Sequence, residues 1–380
     1  MGRSSAVLFL VMILSLRTAA FVVSSRSMRR WALRSVVNGD KHATFATQAS
    51  NKMEQLTFET TPLGQNGTHL LDGLDVYSVP AEGDEHPLAV YGIQSETPVQ
   101  HSNSLRPILL LHGRTWSAVP VYHLLGGSQS KDQPSRSFME ALLASGLQPY
   151  TMDFRGFGGT HKDATGCVEP ARCVRDAETV IRWIAERHGM PANDWPALLG
   201  WSQGALIAHL MAQRPEPLFS KLILYGSIYD PMIRYPREPL YLRNRQNTTY
   251  VENSFDDAIE DFTIEGTIPP EPACRFAEAA LITDPVKAVW SHTFQFNNCD
   301  PARIHHPTLV VAGDQDPYAP LHVQQDLFAN LGRGSDRTWS IMADSDHAVH
   351  LLEGRGRFTS TVVSFVKNGK RKDHDSVDYF

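Results

Sequence analysis

Cysteine is scarce in this chain: there are four in 380 residues, and none sits at a metal-ligand spacing. Cys167 and Cys173 fall close together in one loop, and Cys274 and Cys299 flank one helical stretch, so two local disulfides are open to them, with the pairing not legible. Charge is modest as well. Charged residues make up 20% of the chain and the formal net charge is −6, which excludes the basic balance of a nucleic-acid-binding protein. No long acidic or basic run argues for disorder, and 42% hydrophobic residues are ample for a core. No internal repeat is found. Long apolar runs are missing too: "AVLFLVMILSL" (6–16) is too short to cross a bilayer, so no stable membrane span is expected once a leader is removed.

That same run, with Arg3 before it and Arg17 after it, suits the core of a signal peptide over residues 1–20, with "RTAA" offering a cleavage point after Ala20. Residues 21–52 are rich in Ser and carry Arg26, Arg29, Arg30, Arg34 and Lys41 against one acid, Asp40, as a targeting or pro-segment does. The pair resembles the two-part leaders of proteins sent to the complex plastids of some algae. Secretion with a basic pro-segment is the other reading, and both begin in the secretory pathway. The myristoylation pattern fails because position 6 is Ala. Asn66 ("NGT") and Asn247 ("NTT") are glycosylation sequons, usable only if the chain enters the endoplasmic reticulum.

From about Leu56 strand-like and helix-like runs alternate, which predicts an α/β fold with a mainly parallel sheet covered by helices on both faces. "QLTFET" (55–60), "LLDGLDVYSV" (70–79) and "LAVYGIQ" (88–94) read as opening strands close enough to be antiparallel. "PILLLHG" (107–113), "QPYTMDF" (148–154), "PALL" (196–199), "KLILYGS" (221–227), "PTLVVAGDQD" (307–316) and "TWSIMADSDH" (338–347) read as later strands with their turns. Helices are expected at 137–146, 173–189, 322–332 and 356–368, and helical patches at 274–282 and 286–294. The rhythm breaks at 229–300, rich in Pro, Arg, Asn and aromatics. A core at 53–228 and 301–368 is therefore expected to carry 229–300 as a mostly helical cap, with a polar tail at 369–380. The cap aromatics (Tyr229, Tyr235, Tyr241, Trp290, Phe294, Phe296) serve as a pocket wall or as the cap's own small core.

Between the strand ending at Leu199 and the helical run Ala205, Leu206, Ile207, Leu210 lies Gly200-Trp201-Ser202-Gln203-Gly204. A serine hydroxyl attacks only when a base takes its proton and when it stands clear of the fold. A sharp turn presents it so, and residues two before and two after then come too close for side chains. The helix behind it aims free N–H groups where an oxyanion forms. An ordinary strand-to-helix turn has the same letters. The rest of the chain supplies what such a turn lacks: Asp316 at the end of an apolar strand in "VVAGDQDPYAP", then His347 in "MADSDHAVHLLEG".

"LLLHGR", "DFRGFGGT", "GWSQGA", "GDQDP" and "SDHAVHLLE", in this order over residues 55–368, resemble the α/β-hydrolase fold family. The resemblance implies Ser202 as nucleophile, His347 as general base and then acid, and Asp316 as the group orienting His347. It implies the backbone N–H groups of Gln203 and Arg114 as the oxyanion hole, and no cofactor or metal. Asp230 is the main rival to Asp316, since some relatives place the acid there; Asp314 reads as turn chemistry, and Asp346 is poorly placed to hold its neighbour's ring. His347, His350 and Glu353 mimic a metal spacing, but His350 reads as a packed or rim histidine on the final helix. His112 is read as positioning its loop, Asp153 and Arg155 as pinning the "DFRGFGG" turn, and Trp201 as lining the pocket or packing. The expectation is a serine hydrolase acting on a small-molecule or lipid-like ester, or an amide. An acyltransferase using the same triad and a non-catalytic binding member of the fold are the alternatives. An aminopeptidase like the proline iminopeptidases would need an acidic pair in the cap, and none stands out. Substrate and oligomeric state are not legible.

Overall fold

A computed structural model describes residues 68–93, 105–127, 134–191, 194–241, 250–334 and 336–368. The leader at 1–20, the segment at 21–52, the run at 55–60, both sequons and the tail at 369–380 lie outside the described residues.

The strands are β1 (Asp75–Pro80), β2 (Pro87–Gly92), β3 (Arg106–Leu111), β4 (Leu147–Met152), β5 (Ala197–Trp201), β6 (Leu222–Tyr225), β7 (Thr308–Gly313) and β8 (Arg337–Met342). They form one sheet in the order β1-β2-β4-β3-β5-β6-β7-β8. β1 and β2 pair antiparallel, β2 pairs antiparallel with β4, and every pairing from β4 to β8 is parallel. Composition explains who sits where. β3, β5, β6 and β7 are nearly unbroken runs of Leu, Ile, Val and Ala and are buried along their length, as strands covered on both faces must be. β1 alternates, with Val76 exposed, and β8 leaves Ile341 exposed, so both suit edges.

The helices are α1 (Ala118–Tyr122), α2 (Phe138–Ala144), α3 (Pro170–Arg187), α4 (Gln203–Ala212), α5 (Phe255–Ile259), α6 (Pro270–Thr283), α7 (Leu321–Ala329) and α8 (Arg355–Lys367). α3 starts on Pro170, which needs no N–H there, and turns Val174, Ala177, Val180, Ile181 and Ile184 onto the sheet. α4 is buried except at Leu210 and, apart from Gln203 and His209, carries no polar side chain, the signature of a helix enclosed by its neighbours. None of the described helices is long and apolar enough to cross a membrane.

Three expectations need correction. The patch at 286–294 is not an α-helix: Val286 bridges Glu252, Trp290 bridges both Val168 and Leu240, His292 is left-handed at φ 53°, and Thr293–Asn298 is a 3-10 turn. Val286, Val289 and Trp290 favour extended backbone, and Trp290 gains burial against Phe154, Phe157 and Phe296. Trp290 and Phe296 thus belong to the main core and not to a small core of their own. All four cysteines are free, because Cys173 is buried with α3 on the sheet while Cys299 turns its Sγ toward the Leu206 carbonyl. His350 lies in a 3-10 turn, Val349–Leu351, ahead of α8 and not on it.

Candidate functional site

Ser202 joins β5 to α4 with φ 57° and ψ −119°, a backbone conformation that side chains rarely adopt. The glycines around it answer a steric demand. A Cβ on Gly200 would stand 2.3 Å from the Gly204 carbonyl oxygen, and one on Gly204 would stand 2.4 Å from the His112 carbonyl oxygen. Ser202 N–H donates to the Tyr225 carbonyl at 3.0 Å, which ties the turn to β6. Gln203 opens α4, so its backbone N–H has no partner within the helix. Gly113 lies across from the serine: a Cβ there would be 3.2 Å from Ser202 Cβ. Arg114 follows it.

Asp316 and His347 come together from the ends of β7 and β8. Asp316 Oδ2 lies 2.7 Å from His347 Nδ1, and Asp316 Oδ1 accepts the N–H groups of Tyr318 and Ala319, both at 2.9 Å. Three hydrogen bonds on its two oxygens fix the carboxylate. Since Asp316 accepts at Nδ1, the neutral ring carries its proton there and leaves Nε2 free as a base. Burial opposes charge on His347, but the charge and hydrogen bond of Asp316, with Asp261 and Asp346 nearby, raise its pKa above the ordinary histidine value. The His347 carbonyl accepts Trp201 Nε1–H at 2.8 Å and Tyr225 O–H at 3.0 Å. Trp201, one residue before the serine, therefore packs and holds the histidine loop; its ring centroid is 5.1 Å from that of His347. Two glycines admit this closeness: a Cβ on Gly313 would sit 2.2 Å from the Ser345 carbonyl oxygen, and one on Gly226 would sit 3.1 Å from His347 Nδ1. Among the described residues no hydrogen bond joins Ser202 to His347; such contacts tighten when substrate arrives.

The rival acids are occupied elsewhere. Asp346 accepts Thr263 N–H and Ala348 N–H, both at 2.9 Å, Asp314 accepts Ser345 N–H at 3.1 Å, and Asp230 accepts Met232 N–H at 2.8 Å. His350 is buried between the Val121 carbonyl and the Tyr225 hydroxyl, each 3.0 Å away, and burial holds its pKa down to about 3. Glu353 pairs instead with Arg136 and Arg355.

The loop after β3 is held from several sides. His112 accepts Phe154 N–H at 3.1 Å and contacts the Gly113 carbonyl, while burial keeps it neutral with a pKa of about 3. Trp290 Nε1–H donates to the Arg114 carbonyl at 3.1 Å, and Arg114 Nε–H donates to Gln203 Oε1 at 2.5 Å. Asp153 accepts Ala118 N–H, Gly159 N–H and Tyr91 O–H, and Arg155 makes a paired contact with Asp176. Two acids escaped the reading of the sequence. Asp284 reaches from the end of α6 to accept Ser117 N–H at 2.8 Å and Gly158 N–H at 3.1 Å. Asp261 accepts Trp116 Nε1–H at 2.7 Å; burial pushes its pKa up to about 6, while His347 opposes the rise. Both come from the irregular stretch 229–300, where no periodicity marks which acid turns inward.

The order of strands, the strained serine at the end of β5 and the Asp-His pair at the ends of β7 and β8 define the α/β-hydrolase fold. The sequence matches the serine aminopeptidase, S33, family over residues 121–353, more than half of its length, and the chain belongs to that family. It is a serine hydrolase. Among solved structures it is similar to a thermophilic esterase from Thermogutta terrifontis with malate bound, at 16% identity and a TM-score of 0.53 over 77% of this chain and 98% of that one. A serine hydrolase involved in carbazole degradation shares 16% identity with a TM-score of 0.51, over 77% of this chain and 98% of that one. A bacterial membrane phospholipase A shares 18% identity with a TM-score of 0.51, over 90% of this chain and all of that one. At these identities the likeness is one of fold. Comparison with curated proteins finds no match.

Proposed function

We propose that this protein cleaves a carboxylic ester through an acyl-Ser202 intermediate. His347 Nε2 takes the Ser202 proton as the oxygen attacks the carbonyl, and the oxyanion is held by the backbone N–H groups of Gln203 and Arg114. The imidazolium, stabilised by Asp316, then protonates the leaving alcohol as the C–O bond breaks. Water, deprotonated by His347, frees the acid and restores Ser202. The carrying observation is the buried His347–Asp316 contact of 2.7 Å beside a serine held at φ 57°.

Amide cleavage at a free amino terminus is a second reading, favoured by the family description and by the part-buried Asp261 carboxylate, whose charge is felt at His347. Asp261 already accepts the Trp116 indole N–H, which leaves it fewer lone pairs for an ammonium group and favours the ester. The test is fluorophosphonate labelling of the folded protein with peptide mapping, alongside ester and aminoacyl anilide hydrolysis with and without added alcohols. Label on Ser202, absent in Ser202→Ala and in His347→Ala, with free acid as the product, is the expected result. Transfer of the acyl group to the alcohol would assign an acyltransferase. Turnover surviving intact in Ser202→Ala would remove the serine mechanism.

A further inference from the structure

Arg114 is half-buried beside the nucleophile, and among the described residues no carboxylate lies within ion-pair distance of its guanidinium. Its Nε–H donates to Gln203 Oε1, and the Tyr235 hydroxyl lies against it, so two neutral groups hold the cation and none neutralises it. A partly desolvated guanidinium left without an anion is unfavourable, and such a charge persists where something outside the fold completes it. A second group beside it is also incomplete. Gln203 is fully buried, and its Nε2, on the same carboxamide that grips Arg114, has no hydrogen-bond partner. Guanidinium N–H groups and a carboxamide N–H at one spot are all donors, the set that an oxyacid anion satisfies in a forked geometry. Their place in the chain fixes where the anion would lie. Gln203 follows Ser202, and Arg114 follows Gly113, whose Cα faces the Ser202 side chain. Leu206, one turn along α4 from Gln203, and Tyr235 both line a cavity of about 230 Å³ that continues past Phe296 and Cys299. The cavity bears Arg234 as well as Asp230 and Asp300, and the anion is placed beside it, at Arg114 and Gln203, not among its lining residues.

We propose that the Arg114 guanidinium and the Gln203 carboxamide N–H recognise a carboxylate on the ester cleaved at Ser202, making the substrates anionic half-esters. This rests on the ester-hydrolase reading for its chemistry, but the anion site stands on its own residues. The carboxylate belongs to the acyl part or to the alcohol part, and two matched pairs separate these: monoethyl glutarate against ethyl pentanoate, and acetoxyacetate against ethyl acetate.

The quantity to measure is the ratio of kcat/KM for the anionic and the neutral ester in each pair. In the wild-type protein one pair is expected to favour the anion. Arg114→Met is expected to lower that ratio about 10- to 100-fold, the worth of a charge-assisted contact. Arg114→Lys should restore part of it, and Gln203→Glu, which places a carboxylate on Arg114 with little change of shape, should abolish it. Wild-type ratios at or below one in both pairs, or ratios unmoved by Arg114→Met and Gln203→Glu, would overturn the proposal. Calorimetric binding of both anionic esters to the full chain carrying Ser202→Ala, with and without Arg114→Met, gives a readout that needs no turnover. Tighter binding of one of them that depends on Arg114 supports the site even if fluorophosphonate never labels Ser202, so the two readings fail separately. Equal binding with and without Arg114→Met sinks the anion site alone.

Discussion

A non-glycine residue in the backbone conformation of Ser202 costs roughly 1–3 kcal/mol, and the chain keeps it there because β5, α4 and the Tyr225 carbonyl over-determine it. Asp316 is held as firmly, by two N–H groups on one oxygen and His347 on the other. Asp316→Asn is therefore expected to turn an amide N–H toward His347 Nδ1, place the ring proton on Nε2 and lower kcat by about 10³–10⁴-fold. The pH profile distinguishes this from loosened packing. In the proposed mechanism His347 acts as a base only when neutral, so kcat/KM is expected to fall as pH drops through its pKa. Asp316 raises that pKa, and removing its charge moves the acidic limb of the residual activity to lower pH. An acidic limb that stayed in place would show that Asp316 does not set the charge of His347. At this scale the placement of Ser202, Asp316 and His347 beyond the carboxyl ends of β5, β7 and β8 was legible in the sequence, since each follows a strand with a turn residue beside it. It was silent on Asp261 and Asp284, whose partners Trp116 and Ser117 lie more than a hundred residues away and share no period with them.

The central strands were legible for a related reason. β3, β5, β6 and β7 are buried on both faces and announce themselves by composition alone, with no need of their neighbours. The stretch 286–294 was misread because its apolar residues serve isolated bridges to Val168, Leu240 and Glu252, contacts between distant parts of the chain that a local pattern does not carry. The join between β5 and α4 shows how an element boundary becomes a steric contract. A Cβ on Gly204 meets the carbonyl oxygens of both His112 and Leu111, at 2.4 and 2.5 Å, and backbone is what must move. Gly204→Ala is expected to destabilise the fold by about 1–3 kcal/mol, as overpacking does, and to lower kcat more than it raises KM. The reason is that β3 carries the loop to Arg114, so pushing Leu111 and His112 shifts one of the two N–H groups proposed to hold the oxyanion relative to the other. Urea titration together with ester kinetics checks this. Wild-type stability and turnover in Gly204→Ala would mean that α4 is free to slide away from β3.

Two opposed sets of buried groups govern the molecule as a whole. His112, His209 and His350 are enclosed, and burial lowers their pKa values to about 3, about 4 and about 3. Asp153 and Asp284 are enclosed as well and Asp261 is part-buried, and burial raises the three to about 7, about 6 and about 6 for Asp153, Asp284 and Asp261 in turn. For each histidine the unfolded chain binds a proton below about pH 6.5 that the folded chain refuses, so stability falls as pH drops below that value. For each aspartate the folded chain holds a proton that the unfolded chain releases above about pH 4. Stability then rises as pH falls through the folded value. Between pH 7 and 5 the two sets pull against each other, and the net profile is flatter than either alone. Removing one histidine exposes the balance. His209 lies on α4, fully buried, with its ring 5.4 Å from that of Tyr229, and its replacement by Phe keeps the shape nearly intact. At pH 5 the His209 contribution is about 2 kcal/mol unfavourable to the fold relative to pH 7, and His209→Phe abolishes it. The variant is expected to melt a few degrees higher relative to wild type at pH 5 than the same comparison gives at pH 7. Any packing change from the larger ring is common to both pH values and cancels in the difference. An offset in Tm identical at pH 5 and pH 7 would show that His209 takes up its proton in the folded protein as readily as in the unfolded chain.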